Sequence, residues 1–225
     1  MTPPSGQLWI ELAPLSASAP ARLIVFLHGA ASSPEYLVPL ALAWQLRFPG
    51  ATVVLLEGIR PAGDARLWFD PLDRDPRGAP RIDTAVAAVA TRVRGLQGVL
   101  GLGRQQTVLV GVGQGATVAL EAARAHPLLA AIVVGHAARL ASPIREGERI
   151  PATVHLVHGA FDSVVPLVHA QRACRGLRAV GTDVTLDVLE GESHTLSQGL
   201  VNVGTLRVLQ TAFRGRNRRG RPTLH

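Results

Sequence analysis

The segment Leu109–Leu120, LVGVGQGATVAL, passes from an apolar run through three glycines into a helix-like stretch. Two chemistries use such a turn. Gly111, Gly113 and Ala116 spell G-x-G-x-x-A, the pattern that lets a backbone approach a dinucleotide pyrophosphate. Gly111 and Gly115 also flank position 113 as the glycines of a nucleophile elbow flank their serine, although position 113 is itself glycine. Downstream, Asp162 in GAFDSVVP and His194 in ESHTL follow in the chain order nucleophile, acid, histidine. In a triad the acid fixes the tautomer and orientation of the imidazole, and the imidazole moves the proton. Taken singly, Asp162 reads as a helix N-cap and His194 as a loop residue. Together, each just past a strand-like run, they point to acyl-transfer chemistry.

Those groups need strands to carry them. Short, nearly unalternated runs rich in Val, Ile and Leu recur at Arg22–His28, Thr52–Leu56, Thr107–Val112, Ala131–Val134, Thr153–His158 and Val184–Leu189, as buried parallel strands do. Between them lie helix-length segments at Tyr36–Arg47, Ile82–Leu100, Ala116–Ala125, Pro166–Ala179 and Val201–Phe213. This alternation predicts an α/β protein with a mostly parallel sheet covered on both faces. Gln7–Leu12 alternates and is expected as an antiparallel edge strand. Gly58–Pro80, rich in proline, glycine and charge, follows a strand at its carboxyl end, where open α/β sheets keep their ligands. It is therefore expected to be a site loop.

The two readings of the glycine turn make different demands. A dinucleotide site needs an acidic residue at the end of the next strand to hold the ribose hydroxyls. Here that strand, AIVV, ends in Gly135-His136, and the nearest acids, Glu146 and Glu148, lie well beyond it. An elbow needs an oxyanion hole, which the strand LIVFLH supplies by running into His28-Gly29-Ala30-Ala31-Ser32. The backbone N–H groups of Ala30 and Gln114 would form that hole. His28 itself is expected to be structural.

Composition narrows the setting. No run approaches the roughly 18 apolar residues of a membrane span, and MTPPSGQ lacks the basic and apolar regions of a secretory signal. A cytoplasmic protein is expected. The single cysteine, Cys174, cannot form an internal disulfide and is expected to be an inert buried thiol. All the basic residues are arginine, and Arg214, Arg216, Arg218, Arg219 and Arg221 fall in the acid-free stretch FRGRNRRGRPTLH. Removing those five from the formal +7 leaves about +2 for the body, so the basicity belongs to the tail. A disordered, solubilising tail over 214–225 is expected, with nucleic-acid contact confined to it if present at all.

The set FLHGAASS, RLWFD, GVGQGA, HGAFDSVVP and ESHTL, in this order, resembles the phospholipase/carboxylesterase family of α/β-hydrolases, which includes acyl-protein thioesterase-like enzymes. The resemblance spans roughly residues 20 to 213. It implies the α/β-hydrolase fold in one domain over 1–213, carboxylic-ester or thioester hydrolysis through an acyl-enzyme, a small acyl substrate, and neither cofactor nor metal. The family's elbow, Gly-Phe-Ser-Gln-Gly, places Val112 at its phenylalanine and Gly113 at its nucleophilic serine, while Gln114 and Gly115 match. Its acid turn is matched by Gly159, Asp162, Val165 and Pro166. Trp68 in RLWFD is similar to the family's Trp-Phe segment and is thereby expected beside the acyl site. The chain departs from the family in lacking a Gly-Asp pair after His28-Gly29 and in having Ser193 before the histidine.

Glycine at 113 removes the oxygen that forms the acyl-enzyme while adopting the elbow's strained torsion easily. Thr117, one helical turn in, does not replace it. Three readings stand on sequence alone: a hydrolase by descent with weak or lost activity, a non-catalytic protein that keeps the pocket for a ligand or partner, and a serine esterase in which glycine was introduced.

Overall fold

The computed structural model describes residues 9–16 and 19–219. The strands and helices follow in the order β1 (Trp9–Leu12), β2 (Arg22–Leu27), α1 (Val38–Arg47), β3 (Ala51–Leu56), β4 (Arg60–Ala62), β5 (Ala65–Leu67), α2 (Asp83–Leu100), β6 (Thr107–Val112), α3 (Gln114–Ala125), β7 (Ile132–His136), β8 (Thr153–Gly159), α4 (Val168–Ala179), β9 (Val184–Leu189) and α5 (Gln198–Arg219). Seven strands make one sheet in the order β1-β3-β2-β6-β7-β8-β9. Only β1 is antiparallel, paired to β3 with Trp9 opposite Leu56. Of the expected edge strand Gln7–Leu12, the first two residues lie outside the described residues.

The apolar runs are continuous because both faces of the sheet are covered. On one side α2, α3 and α4 pack Val86, Val89, Leu120 and Leu177 against β2, β6 and β8. On the other, α1 and α5 pack Leu40, Trp44, Val201 and Val208 against Ile24, Val53 and Val110. Trp44 meets Phe26 edge-on with ring centroids 5.5 Å apart, an arrangement worth about 0.5–1.5 kcal/mol beyond the area it buries. Side chains alternate between these two cores along each strand, so β2, β3 and β6 are buried at almost every position.

Beyond shifts of one or two residues at element ends, two elements depart from the sequence reading. The loop 58–80 contains the hairpin β4–β5, turned at Gly63 with φ of 62°. Its strands are three residues each, too short for alternation to be read. The last helix begins three residues before Val201 and continues to Arg219, taking in the first part of the stretch read as a tail. Residues 220–225 lie outside the described residues. Cys174 is buried in α4 as a free thiol, as expected.

Candidate active site

Between β6 and α3 there is no loop beyond Gly113, whose φ of 54° and ψ of −111° lie in a region that side-chain-bearing residues adopt only under strain. Its N–H donates to His136 O at 2.9 Å, and its carbonyl accepts from Thr117 N at 3.1 Å. The flanking glycines are required by contact. A Cβ at Gly111 would lie 2.4 Å from Ala116 Cα, and one at Gly115 would lie 2.3 Å from Leu27 O. A Cβ at Gly113 would meet nothing nearer than His194, at 3.9 Å from Cε1 and 4.0 Å from Nε2. The middle glycine thus faces the imidazole across open space. Thr117 is fully buried, with its hydroxyl turned to the helix carbonyl of Gly113 at 3.4 Å.

His194 and Asp162 come together from the ends of β9 and β8. The Nδ1–H of His194 donates to Asp162, with Oδ2 at 2.8 Å and Oδ1 at 3.0 Å. Asp162 Oδ1 also accepts from Val164 N at 2.9 Å and Val165 N at 2.8 Å. Burial raises the affinity of this carboxyl for a proton, but the hydrogen bonds from Val165, His194 and Val164 outweigh it and the pKa falls below the ordinary aspartate value. The group is a carboxylate at neutral pH. The histidine loop reaches it because Gly159 allows main chain against main chain: a Cβ there would lie 2.5 Å from both Glu192 O and Ser193 O.

Beneath this pair lie two histidines that sequence reasoning did not single out for chemistry. His158 donates from Nε2 to Val165 O at 2.7 Å, and the same nitrogen stands 3.6 Å from Asp162 Oδ2. His136 is buried with no hydrogen-bond partner at either ring nitrogen. Burial, and then the neighbouring His158, lower its pKa to about 4. The only sequence signal for His158 is its place at a strand end four residues before Asp162.

Next to Gly113, the N–H of Gln114 heads α3 and has no partner four residues back in its own helix. It shares a cleft of about 530 Å³ with Ala30, Gly113 and His194. Ala31 is held at a φ of 47°, and Ser32 is tied to Arg66 of β5 by N–H···O bonds of 3.3 and 2.8 Å. The hairpin thus braces the loop that carries Ala30. His28 is buried, donates from Nδ1 to Gly29 O at 2.7 Å and accepts from Gly58 N at Nε2, 2.9 Å away. Burial lowers its pKa, consistent with a neutral, structural ring.

Trp68 departs from expectation. It is fully buried and absent from the wall of this cleft, to which its segment contributes Pro71. Its indole N–H donates to His28 O at 2.9 Å, and its main-chain N–H to Gln114 Oε1 at 2.7 Å. Gln114 Nε2 in turn donates to Phe69 O at 2.8 Å. An indole buries a large apolar area while its N–H finds a partner, and both needs are met in the core. Hollows of comparable size beside residues 75–83 and at the amino ends of the strands contain neither Gly113 nor His194. Arg139, also unforeseen, lines the cleft. Among the described residues no group of three His, Cys, Asp or Glu side chains could hold a metal ion, and no helix is long and apolar enough to cross a membrane.

Known proteins share this fold. The family model described as Phospholipase/Carboxylesterase matches residues 15–203. The esterase YpfH of Escherichia coli (strain K12) is 35% identical over 179 residues, covering 78% of this chain and 76% of that protein. The crystal structure of esterase PE8 superposes with a TM-score of 0.79 at 29% identity, over 89% of this chain and 97% of that one. A carboxylesterase from Mesorhizobium loti has the same fold, with a TM-score of 0.71 at 20% identity over 84% of this chain and 88% of its own. A family match over most of the length, joined to the parallel sheet with its strand-to-helix elbow, identifies the chain as a member of the phospholipase/carboxylesterase family of α/β-hydrolases.

Proposed function

We propose that this protein is a carboxylic-ester or thioester hydrolase scaffold in which Asp162 and His194 are the acid and base, Ala30 and Gln114 donate to the oxyanion, and Gly113 occupies the nucleophile position. The observation that carries this reading is the open space between Gly113 and the His194 ring, which a Cβ would enter at 3.9–4.0 Å. An acyl-enzyme cannot form there. Hydrolysis of a bound ester proceeds instead through a water molecule in that space. His194 Nε2 takes its proton, the oxygen adds to the ester carbonyl, and the tetrahedral oxyanion is held by the two amides. The C–O or C–S bond to the leaving group then breaks, and the proton on Nε2 passes to that group, giving acid and alcohol or thiol. Serine hydrolases deprived of triad members retain roughly 10³–10⁴ over the uncatalysed rate, against accelerations of about 10⁶ and far higher for intact enzymes. Native activity is accordingly weak. Its substrate is a small acyl ester or thioester, and its location is the cytoplasm.

A second reading, a ligand-binding protein that has given up catalysis, draws on the same Gly113. One comparison separates the two: p-nitrophenyl acetate and butyrate hydrolysis by the native chain, by Gly113→Ser, and by Gly113→Ser with His194→Ala. The hydrolase reading expects the serine form to gain about 10³-fold or more and to lose it again without His194. A folded but inert Gly113→Ser protein refutes it and leaves the binding reading.

A further inference from the structure

Arg139 follows β7 and the left-handed Ala137, with φ of 50°, and its half-buried side chain lines the same cleft as Gly113 and His194. Among the other half-buried arginines, Arg66 pairs with Glu57, Arg124 with Glu121 and Glu148, and Arg207 with Asp187, while Arg92 donates to Glu57 O and Arg104 to Pro151 O. Arg139 forms no hydrogen bond or ion pair with any described residue, its titratable neighbour His169 gives it no counter-charge, and no aspartate or glutamate lines the cleft with it. The rest of that wall is glycine, alanine and apolar or neutral groups around the single histidine. A guanidinium is always charged and presents a planar fork of donors matched to a carboxylate or phosphate. Set into a partly desolvated wall with no internal acid, it favours an anion arriving with the ligand.

We infer that Arg139 is a specificity-determining residue that selects esters bearing an anionic group, a carboxylate or a phosphate, on the part of the molecule away from the scissile bond. This rests on the reading of the cleft as an acyl-ester site. The anion binds the guanidinium while the ester carbonyl lies between Gly113, His194 and the two amides. The inference adds a substrate class to that reading and involves no new chemical step.

Binding to the native chain tests it, because weak hydrolysis at glycine 113 consumes little of an alkyl ester on the time scale of a titration. Monomethyl succinate, its neutral counterpart dimethyl succinate, and 2-acetoxyethyl phosphate are titrated calorimetrically into the native chain, Arg139→Gln and Arg139→Lys. The native chain is expected to bind at least one anionic ester about tenfold more tightly than dimethyl succinate, as befits a charge-assisted contact at a half-exposed site. The tighter of the two anionic probes identifies the preferred anion. The preference disappears in Arg139→Gln, is partly kept in Arg139→Lys, and weakens as salt rises. Equal affinity for charged and neutral esters, a preference that survives Arg139→Gln, or no binding of any probe overturns the inference. Hydrolysis of the neutral p-nitrophenyl esters by Gly113→Ser, with Arg139 in place, tests the hydrolase reading separately. An active serine form without anion preference therefore sinks this inference alone, whereas an inert one with the preference intact sinks only the hydrolase reading.

Discussion

Replacing the elbow glycines by alanine separates the effect of contact from that of torsion. At Gly115 the methyl would fall 2.3 Å from Leu27 O, 2.4 Å from His28 O and 2.6 Å from Leu27 C. These are main-chain atoms at the end of β2, held between two neighbouring strands, and they cannot swing aside as the tip of a side chain can. Restoring ordinary contact requires α3 and β2 to part by about 1 Å, in an interior that is close-packed. Overpacking typically costs about 1–3 kcal/mol and occasionally more. With main chain on both sides, Gly115→Ala is placed at or above ~3 kcal/mol. At Gly113 nothing lies within ordinary contact except the His194 ring at 3.9 Å, so the cost is that of the torsion alone. Strained φ/ψ values of this kind cost about 1–3 kcal/mol, and an alanine, the smallest side chain, is placed at ~1–2 kcal/mol within that range. For a domain of this size each kcal/mol moves Tm by roughly 2–4 °C. Gly113→Ala is therefore expected to lower Tm by about 2–8 °C and Gly115→Ala by about 6–12 °C or more. Thermal and urea denaturation followed by circular dichroism at one pH measures both. If Gly115→Ala falls within ~0.5 kcal/mol of the parent, the range of an ordinary surface substitution, or if Gly113→Ala proves as damaging as Gly115→Ala, then α3 does not abut β2 in this way and the elbow geometry is wrong.

Two further outcomes follow from the groups around Asp162. In the Gly113→Ser background, Asp162→Asn is expected to lower kcat by about 10⁴ through the wrong imidazole tautomer, and a loss under tenfold in p-nitrophenyl butyrate hydrolysis would contradict that role. His136 titrates at about 4 in the fold against an ordinary 6.5, so below pH 6.5 the unfolded chain binds a proton that the folded chain refuses. Its contribution to stability is complete above pH 6.5 and is lost as pH falls toward 4, at up to about 1.4 kcal/mol per pH unit. His136→Leu, which also removes two unpaired buried nitrogens, is expected to flatten that part of the curve in urea titrations. A slope unchanged from the native chain would refute the assignment.

Strands were legible because a parallel sheet covered on both faces leaves no polar face, so each strand stands out as an apolar block. The pairing of Asp162 with His194 was legible for a related reason: both lie one turn past such blocks, in the order a triad requires. Helix starts were read less well. The elbow has no loop residues after Gly113, so α3 begins at Gln114 rather than Ala116. Trp68, expected beside the acyl site from its resemblance to the family's Trp-Phe segment, lies in the core, and an aromatic near a site loop fits either place. The deciding facts, its bonds to His28 and Gln114, join residues more than 39 positions apart. The same holds for His136, His158 and Arg139, whose neighbourhood exists only once β7 and β8 lie side by side with Val134 opposite His155.

The side-chain amide of Gln114 fastens Trp68 N and Phe69 O to the head of α3, which divides the 58–80 loop into two arms with a fixed hub. One arm ends in the exposed turn at Gly63 and Asp64, the other in the exposed turn around Pro76 and Gly78. Either tip can be lengthened, shortened or exchanged with that of a relative while the hub stays in register, since exposed loop tips are where insertions are tolerated. Recruitment of new acyl or alcohol groups in this lineage, natural or by grafting, is therefore expected to proceed one arm at a time, with residues 67–70 kept as the joint between them.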